Sequence, residues 1–332
     1  MLIRILFVLF SLSLPFAHVH AHGKAPANTN TNTNDNSATI PMKAVKVGPH
    51  SYFVQGLPGA ASSDNQGFMS NAGFVVTRDG VVVFDALGSP PLAQKLVSLI
   101  RQVTKQPIKR VIVSHYHADH YYGLEVFKAL GAEIWAHQST KGVIHSVDAK
   151  QRFEQRKEAL FPWVDDKTKL LEPDRYLTGN SHFDMGGVHF VLNYVGPAHS
   201  DEDLVMLVKQ DGVLYAGDLV FLGRIPFVGD ADAATWIRAL DKLLAMKPRV
   251  LVPGHGPAST KPAADLVFTR DYLKYLRSSM SKAASELVPF EEAYAKTDWS
   301  KYRKMPAFNE ANRANAYNQY LRLEASAANN FD

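Results

Sequence analysis

Val111-Ile112-Val113-Ser114-His115-Tyr116-His117-Ala118-Asp119-His120 is an apolar, β-branched run that ends in four residues of metal-ligating type within six positions. The run predicts a buried strand that leads directly into a metal site. Along an extended backbone His115, His117 and Asp119 alternate onto one side, whereas His120 points elsewhere. This offers two imidazoles to one metal, and a carboxylate with an imidazole to a second metal about 3.5–4 Å away. The remaining ligands must come from later in the chain.

Three further candidate ligands stand in sharp loops directly after apolar strands. They are His199 after Tyr194-Val195-Gly196-Pro197-Ala198, Asp218 after Val213-Leu214-Tyr215-Ala216-Gly217, and His255 after Val250-Leu251-Val252-Pro253-Gly254. A single His after a glycine is usually a turn residue, and a single Asp after a strand usually caps a helix. Four separate strand ends that carry His-x-His-x-Asp-His, then His, then Asp, then His favour a metal site over these alternatives.

This ordered set resembles the metallo-β-lactamase-fold superfamily of metallohydrolases, over about residues 43–261. The resemblance implies the role of each candidate: a first metal bound by His115, His117 and His199, a second metal bound by Asp119, His120 and His255, and Asp218 as the bridge between them. It also implies that Asp85, after the strand at residues 81–84, orients ligands through hydrogen bonds.

The pattern along the chain predicts an α/β (α+β) fold. Strands are predicted at residues 51–55, 73–77, 81–84, 110–114 and 133–136, and again at 182–185, 188–195, 204–208, 213–216 and 249–252. Helices are predicted at residues 92–103, 124–130 and 233–246, the last capped by Asp232. Each half runs strands, helix, strand, ligand loop, which predicts two facing sheets with helices outside. This is the four-layer αββα sandwich of the family that the sequence resembles. A charged insert at residues 138–171 is interpreted as mainly helical, solvated surface.

Four segments are predicted along the chain. Residues 1–21 have the form of a cleavable signal peptide, with Arg4, a short apolar run and Val19-His20-Ala21, and cleavage is expected after Ala21. Residues 22–41 are a polar linker, predicted to be disordered. Residues 42–261 form the catalytic domain, and residues 262–332 a helical C-terminal extension packed on it. The expected location is periplasmic or secreted, with no stable membrane anchor after cleavage, because an apolar run of about 12 residues is too short to span a bilayer.

Composition narrows the class of protein. A chain of 332 residues that is 46% apolar can bury a full core. Its formal net charge is only +4, so we do not expect nucleic acid or a membrane surface as a partner. The expected partner is a small-molecule substrate. The chain has no Cys, which excludes a thiolate ligand, a Cys nucleophile and disulfides. Nothing in the composition indicates a protein partner.

The ligand set determines the expected chemistry. Five His and two Asp without sulfur suit Zn²⁺, two per chain, with iron or manganese as alternative occupants. Zinc lowers the pKa of a bound water to about 7, so a hydroxide held between two metals would attack an acyl carbonyl. Asp119 or Asp218 is predicted to relay the proton. The expected reaction is hydrolysis of an ester, thioester, lactone or β-lactam.

Two closer resemblances concern substrate and location. The Gly217-Asp218 pair resembles glyoxalase II, the lactonases and related thioesterases, whereas the best-known metallo-β-lactamases have Cys where this chain has Asp218. Residues 262–332 show no match to the glutathione-binding tail of glyoxalase II. Residues 162–165, 217–230 and 247–257 resemble exported zinc metallohydrolases associated with sulfur-oxidation and quinoprotein relay systems. This second resemblance concerns location and fold more than substrate.

Tyr121, Tyr122, Arg224 and Phe227 are the candidate substrate contacts. The alternative is that both tyrosines pack under the site and that Arg224 pairs with an acid such as Asp230. Two other functions stay open. An oxidoreductase resembling the persulfide dioxygenases would hold a single Fe(II) with two His and one carboxylate. A non-catalytic periplasmic metal- or ligand-binding protein could have closed coordination, whereas a hydrolase needs water-accessible metals.

Overall fold

The computed structural model of the protein describes residues 37–229 and 231–328. The signal peptide predicted at residues 1–21 and most of the predicted linker lie outside the described residues. The last residues of that linker are described, and they lie against the folded domain. The amides of Thr39 and Ile40 donate to Gln66 Oε1 at 2.9 and 3.1 Å, and Lys95 Nζ donates to the Ile40 carbonyl at 2.6 Å. Residues 39 and 40 therefore contact the folded domain, which the sequence pattern predicted to begin at residue 42.

Twelve strands form two mixed sheets in the described part of the chain. The first sheet contains β1 (Ala44–Lys46), β2 (Ser51–Val54), β3 (Ala72–Val76), β4 (Val81–Phe84), β5 (Ile108–Ile112), β6 (Glu133–His137) and β7 (Arg175–Leu177), side by side in that order. The second contains β8 (Ser181–Met185), β9 (Val188–Tyr194), β10 (Leu204–Val208), β11 (Val213–Tyr215) and β12 (Val250–Val252), again in chain order. β4 to β7 pair in parallel, as do β11 and β12, and the other pairs are antiparallel.

Helices flank the sheets. They are α1 (Pro90–Val103), α2 (Ala118–Tyr121), α3 (Leu124–Ala129), α4 (Val147–Leu160), α5 (Ala233–Ala245), α6 (Pro262–Ser285), α7 (Phe290–Lys296) and α8 (Arg313–Ala328). The predicted cap of α5 is confirmed, since Asp232 Oδ1 accepts from the Ala234 amide at 2.9 Å. β1 and β7 were not predicted, because at most one of the three residues in each strand is buried and neither strand shows a clear apolar pattern. None of the helices in the described residues combines the length and apolar character that a bilayer crossing requires.

Alternate residues of the central strands face two different apolar cores. In β4, Val81 and Val83 pack in the cluster that contains α1 and α3, whereas Val82 and Phe84 pack in the cluster between the sheets. β10 alternates in the same way, with its second and fourth residues in the cluster that contains α5, α6 and α8. These strands are therefore buried on both faces. Three apolar interfaces separate four layers, so the predicted αββα sandwich with a helical C-terminal extension is confirmed.

Buried amide side chains hydrogen-bond α8 to residues 219–229 and 231–233, which we call the site loop because they follow Asp218. Asn315 Oδ1 accepts from the Val228 amide at 2.9 Å, and Asn315 Nδ2 donates to the Pro226 carbonyl at 2.8 Å. Gln319 bonds two further backbone groups of the site loop, accepting at 3.2 Å and donating at 2.6 Å. The helical extension therefore holds the site loop in place.

We predict that Asn315→Ala lowers the free energy of unfolding by about 2–4 kcal/mol, because it leaves a buried amide and a buried carbonyl of the site loop without partners. Asn318→Ala is the matched control on the same helix. Asn318 is half-buried and donates to the Gly229 carbonyl at 3.0 Å, so its loss should stay below about 1.5 kcal/mol. Urea unfolding of both variants measures the two values, and equal losses would contradict the role given to Asn315.

Candidate metal centre

The seven predicted ligands converge where strand ends of the two sheets meet. His115 and His117 follow β5, Asp119 and His120 lie in α2, and His199, Asp218 and His255 follow β9, β11 and β12. They form one group of His115, His117, His199 and Asp218 and a second group of Asp119, His120 and His255. Within each group the candidate ligand atoms all lie within 4.8 Å of one another. The division is the one that the family resemblance implies.

The carboxylate of Asp218 lies between the two groups. Its Oδ2 is 3.4 Å from His199 Nε2 and 3.9 Å from His115 Nε2. Its Oδ1 is 3.0 Å from His120 Nε2 and 3.3 Å from His255 Nε2. One oxygen therefore faces each group, which is the position that a bridging carboxylate needs.

The spacing of the first group fits a cation. His117 Nδ1 lies 3.0 Å from both His115 Nε2 and His199 Nε2. A neutral imidazole has one N–H donor and one acceptor nitrogen, so this nitrogen cannot pair properly with both neighbours. Ligand atoms of a tetrahedral zinc site with bonds of about 2.0–2.1 Å are about 3.3 Å apart. The nitrogens and the facing carboxylate oxygen have nearly that separation.

The second group has buried polar atoms without partners. Asp119 Oδ2, His120 Nε2 and Asp218 Oδ1 are buried and have no hydrogen-bond partner among the described residues. Asp119 Oδ2 is 3.5 Å from His120 Nε2 and 3.3 Å from His255 Nε2. Buried polar atoms are normally paired, and a cation at the point where these atoms converge would satisfy them all. Nitrogen and oxygen donors at this spacing are therefore able to bind metal in both groups.

Hydrogen bonds behind the ligands orient their rings. Asp85, at a left-handed φ of +65°, follows β4 and accepts from His120 Nδ1 at 2.8 Å. It also accepts from the amide and hydroxyl of Ser114 at 2.7 and 2.9 Å. The same hydroxyl lies 2.9 Å from His115 Nδ1. A histidine held at Nδ1 presents Nε2 to a metal, so Asp85 lies where it can orient His120, and Ser114 adds a contact that the sequence analysis did not name.

His255 and His199 are each supported by an aromatic ring from the second half of the chain. His255 Nδ1 bonds to the Met69 carbonyl at 2.8 Å, and its ring stacks on Phe221 at 5.0 Å between centroids and 4° between planes. The ring of His199 contacts Trp236 edge-on, with 5.3 Å between centroids. The indole of Trp236 donates to the carbonyl of a site-loop residue at 3.1 Å. The aromatic support of these two ligands thus comes from the second half of the chain.

Burial keeps the histidines of the first group neutral. Burial, followed by the neighbouring His120 and His117, lowers the pKa of His115 well below its usual value. Burial and then His199 lower the pKa of His117 to about 3, and burial lowers the pKa of His199. A neutral imidazole is the form that binds a metal. Even without an ion, the first group therefore has its ligating protonation state at neutral pH.

In the second group, nearby carboxylates raise the pKa of a histidine. Burial alone would raise the pKa of Asp218, but His255 and His120 hold it well below its usual value. Burial would likewise lower the pKa of His255, but Asp218 and Asp119 raise it to about 9. A cation in this group has to displace a proton from imidazole, so binding at neutral pH would release protons.

The backbone of residues 111–120 does not follow the strand-like alternation of side chains that was predicted for it. β5 ends at Ile112, and the chain turns into α2, where the His120 amide donates to the His117 carbonyl at 3.0 Å. Asp119 therefore does not continue the period-two pattern of His115 and His117. The helical turn carries Asp119 to the side of His120 and the second group.

The structure corrects the prediction that Tyr121 and Tyr122 contact substrate. The two side chains are only 1% and 4% exposed. The hydroxyl of Tyr121 donates to the Leu171 carbonyl, and the ring of Tyr122 packs edge-on against Phe153. Burial raises both phenol pKa values, that of Tyr122 to about 12. Both tyrosines lie under the site, in the apolar core that the insert at residues 138–171 covers.

The two other candidate substrate contacts stay on the site loop. Phe227 is 49% exposed. Arg224 is half-buried, and its Nη1 donates to the Gly59 carbonyl at 3.4 Å. The suggested partner Asp230 lies outside the described residues. Arg224 and Phe227 therefore remain predicted contacts.

Asp203 is a buried acid that the sequence analysis did not single out. It accepts from the amide and the hydroxyl of Ser200 at 2.8 and 3.0 Å, and so closes the loop that carries His199. Burial raises the pKa of Asp203 to about 8. A Ser three residues before an Asp is a common side-chain capping pattern, and this spacing could have identified the pair.

Known sequences resemble this chain over the same region. The family model of the metallo-beta-lactamase superfamily matches residues 65–255, more than half of the chain. The type 2 metallo-beta-lactamase of Elizabethkingia meningoseptica is 27% identical over 196 residues, which are 57% of this chain and 69% of that protein. The type 2 metallo-beta-lactamase of Bacillus cereus is 25% identical over 210 residues, 62% of this chain and 73% of that protein.

Solved structures share the fold. A metallo-beta-lactamase from Pontibacter korlensis superposes with a TM-score of 0.57 at 21% identity, covering 70% of this chain and 99% of that one. The stereoselective inverting sec-alkylsulfatase of a Pseudomonas species superposes with a TM-score of 0.67 at 18% identity, covering 87% of this chain and 53% of that one. At these identities the likeness concerns the fold alone.

We predict that Gly254→Ala weakens metal binding at least about 10-fold. A Cβ on Gly254 would lie 2.0 Å from Asp218 Oδ1 and 2.7 Å from the carbonyl carbon of Gly217, so it must displace the carboxylate. Gly179→Ala is the control, because a Cβ there meets nothing within 4 Å. Competition with a chromogenic chelator measures both affinities. Wild-type affinity in Gly254→Ala would exclude Asp218 as a ligand.

We also predict that Asp85→Asn lowers metal affinity about 10–100-fold without unfolding the protein. The new amide N–H₂ would confront the Nδ1–H of His120, where the carboxylate accepts a hydrogen bond. Asp184→Asn is the control, since Asp184 forms an exposed pair with His189 Nδ1 at 2.9 Å, away from the site. Chelator competition and circular dichroism on both variants are the measurements. Equal affinities in the two variants would show that Asp85 does not support the ligands.

Proposed function

The chain belongs to the metallo-beta-lactamase superfamily of metal-dependent hydrolases, and we propose that it is an exported dinuclear-zinc hydrolase of an acyl bond. The observation that carries the proposal is the carboxylate of Asp218, with one oxygen turned to each of two ligand groups. Two groups joined in this way support two cations. A small molecule with an ester, thioester, lactone or β-lactam bond is the proposed substrate.

We assign different roles to the residues of the site. Zinc, when bound, lowers the pKa of a water to about 7 and polarises a carbonyl oxygen. Both oxygens of Asp218 face ligand histidines, so this residue is proposed to hold the two groups together. Asp119 faces the second group through Oδ2. We therefore assign the proton relay to Asp119, through its Oδ1.

The donor set supports zinc over iron. The site has five imidazoles, two carboxylates and no sulfur, which zinc accepts readily. A persulfide-dioxygenase-like enzyme with a single Fe(II) would use two His and one carboxylate and would leave the other four residues without a role. The partly buried side chains of His117 and Asp119 also connect the site to solvent. This access favours a hydrolase over a binding protein with closed coordination.

Location and substrate class rest on the sequence. The signal peptide predicted at residues 1–21 and the absence of Cys support export to the periplasm or beyond. Asp at position 218 supports a glyoxalase II-like ligand set. The relatives are named metallo-beta-lactamases, so a β-lactam belongs among the substrates to be tested.

We predict about two zinc ions per chain in protein purified from an exported preparation, and turnover of at least one acyl class. The panel is a chromogenic cephalosporin, a lactone, a thioester, a phosphodiester and a secondary alkyl sulfate. His117→Ala removes a nitrogen that faces two other ligands and should lower turnover at least about 100-fold. His182→Ala, at an exposed histidine on β8 outside the site, should leave metal content and turnover unchanged.

Elemental analysis and the hydrolysis panel decide between the candidate functions. One iron per chain with oxygen consumption and an inactive panel would reject the hydrolase and support the dioxygenase. Two bound zinc ions with no turnover of any member would support the binding protein. Cleavage of the alkyl sulfate alone would keep the metal centre but replace the acyl substrate.

A further inference from the structure

Helix α4 places an arginine next to the first ligand group. The guanidinium carbon of Arg152 lies 4.9 Å from the centroid of the Tyr116 ring. That ring lies 5.1 Å, centroid to centroid, from the ring of His117. Arg152 is therefore separated from a candidate metal ligand by one aromatic ring. Its charge also contributes, after burial and His199, to the low pKa of His117.

The guanidinium of Arg152 has an unused donor. Its Nη1 is buried and has no hydrogen-bond partner, and no carboxylate lies within ion-pair distance of Arg152 among the residues that the structure describes. Lys157, one and a half turns further along α4, instead binds Glu154 and Asp166 at 2.8 and 2.6 Å. A buried donor without a partner costs free energy. Guanidinium binds carboxylates through paired N–H groups, so an anionic ligand would satisfy Arg152.

Glu202 is the acid of the chain that could neutralise Arg152 instead. Glu202 is buried, and its Oε2 has no hydrogen-bond partner among the described residues. The two side chains are therefore not joined by a hydrogen bond. Burial raises the pKa of Glu202 to about 7, so at neutral pH this carboxyl supplies only part of a counter-charge. No ion pair therefore neutralises Arg152 among the described residues.

A second arginine borders the other ligand group in a similar way. The guanidinium carbon of Arg224 lies 6.0 Å from the centroid of Phe221, the ring that stacks on His255. Arg224 already donates to the Gly59 carbonyl through Nη1, although its Nε is buried without a partner. Of the two arginines, Arg152 has no such backbone bond among the described residues, and it is the better candidate for a ligand.

We propose that Arg152 binds a carboxylate carried by the substrate, at a few bonds from the acyl group that is cleaved. The proposal rests on the proposed hydrolase function for the reaction itself, and adds the substrate class: an acyl compound with a negative charge at its far end. Arg152 is then a specificity-determining residue. Tyr116 provides the surface on which the guanidinium rests, and the substrate carboxylate accepts from Nη1, the donor without a partner.

Two matched chromogenic esters test the proposal on the zinc-loaded protein. They are the mono-4-nitrophenyl ester of adipic acid and 4-nitrophenyl 6-methylheptanoate, in which an isopropyl group replaces the carboxylate. We expect Arg152→Gln to lower kcat/KM for the anionic ester about 10–100-fold, mainly through KM, because a charge-assisted hydrogen bond is lost. The neutral ester should change by less than about 3-fold. Arg152→Lys should recover part of the loss.

Lys150→Gln is the matched control. Lys150 is exposed on the same helix, so its substitution removes the same charge without touching the site. It should change both esters by less than about 3-fold. Equal losses on both esters in Arg152→Gln, or equal losses in the two variants, would overturn the proposal, because the effect would then be structural or a general effect of charge.

A binding measurement separates this proposal from the hydrolase function. Monomethyl adipate is titrated calorimetrically into the wild type, Arg152→Gln and Lys150→Gln. We expect at least about 10-fold weaker binding in Arg152→Gln alone. This result stands even if neither ester is cleaved, in which case the hydrolase proposal fails by itself. No binding by the wild type, or equal binding by all three proteins, would reject the anion site while ester cleavage still supports the hydrolase.

Discussion

Burying five imidazoles and two carboxylates within a few ångströms of one another is the constraint on which this structure depends. Burial and the neighbouring His199 lower the pKa of His117 to about 3, whereas Asp218 and Asp119 raise the pKa of His255 to about 9. Loops alone could not hold such a set. The strands that deliver the ligands are buried on both faces, so the sandwich supplies the rigidity that the site needs.

The two halves of the chain contribute differently to this rigidity. In the first half, polar contacts orient the metal-ligating side chains. Asp85, after β4, bonds to Ser114, after β5, and these two residues contact His120 and His115. The second half supports its ligands through aromatic rings and through the site loop, which the buried amides of Asn315 and Gln319 hold from α8. The helical extension thus stabilises the metal centre without contributing a ligand to it.

Much of the site could be predicted because its signals are local. Each ligand follows an apolar strand, and a parallel or mixed sheet brings such strand ends to one edge, so His199 and Asp218 could be placed without knowing any distance. The predictions that were wrong depended on tertiary contacts. Whether Tyr121 is buried or open depends on the insert that covers it, and the turn that carries Asp119 out of the strand alternation leaves no periodic signal. The contact of Arg152 with Tyr116 joins distant parts of the chain in a segment whose charges look uniformly solvated.

The candidate metal ligands and the two arginines beside them come from different parts of the fold. The candidate ligands come from strand ends, which the two sheets fix. Arg152 and Arg224 come from α4 and the site loop, outside the sheets, and each approaches one ligand group across a single aromatic ring. A change in α4 can therefore alter the charge presented to a substrate while the strand ends keep the metal ligands in position.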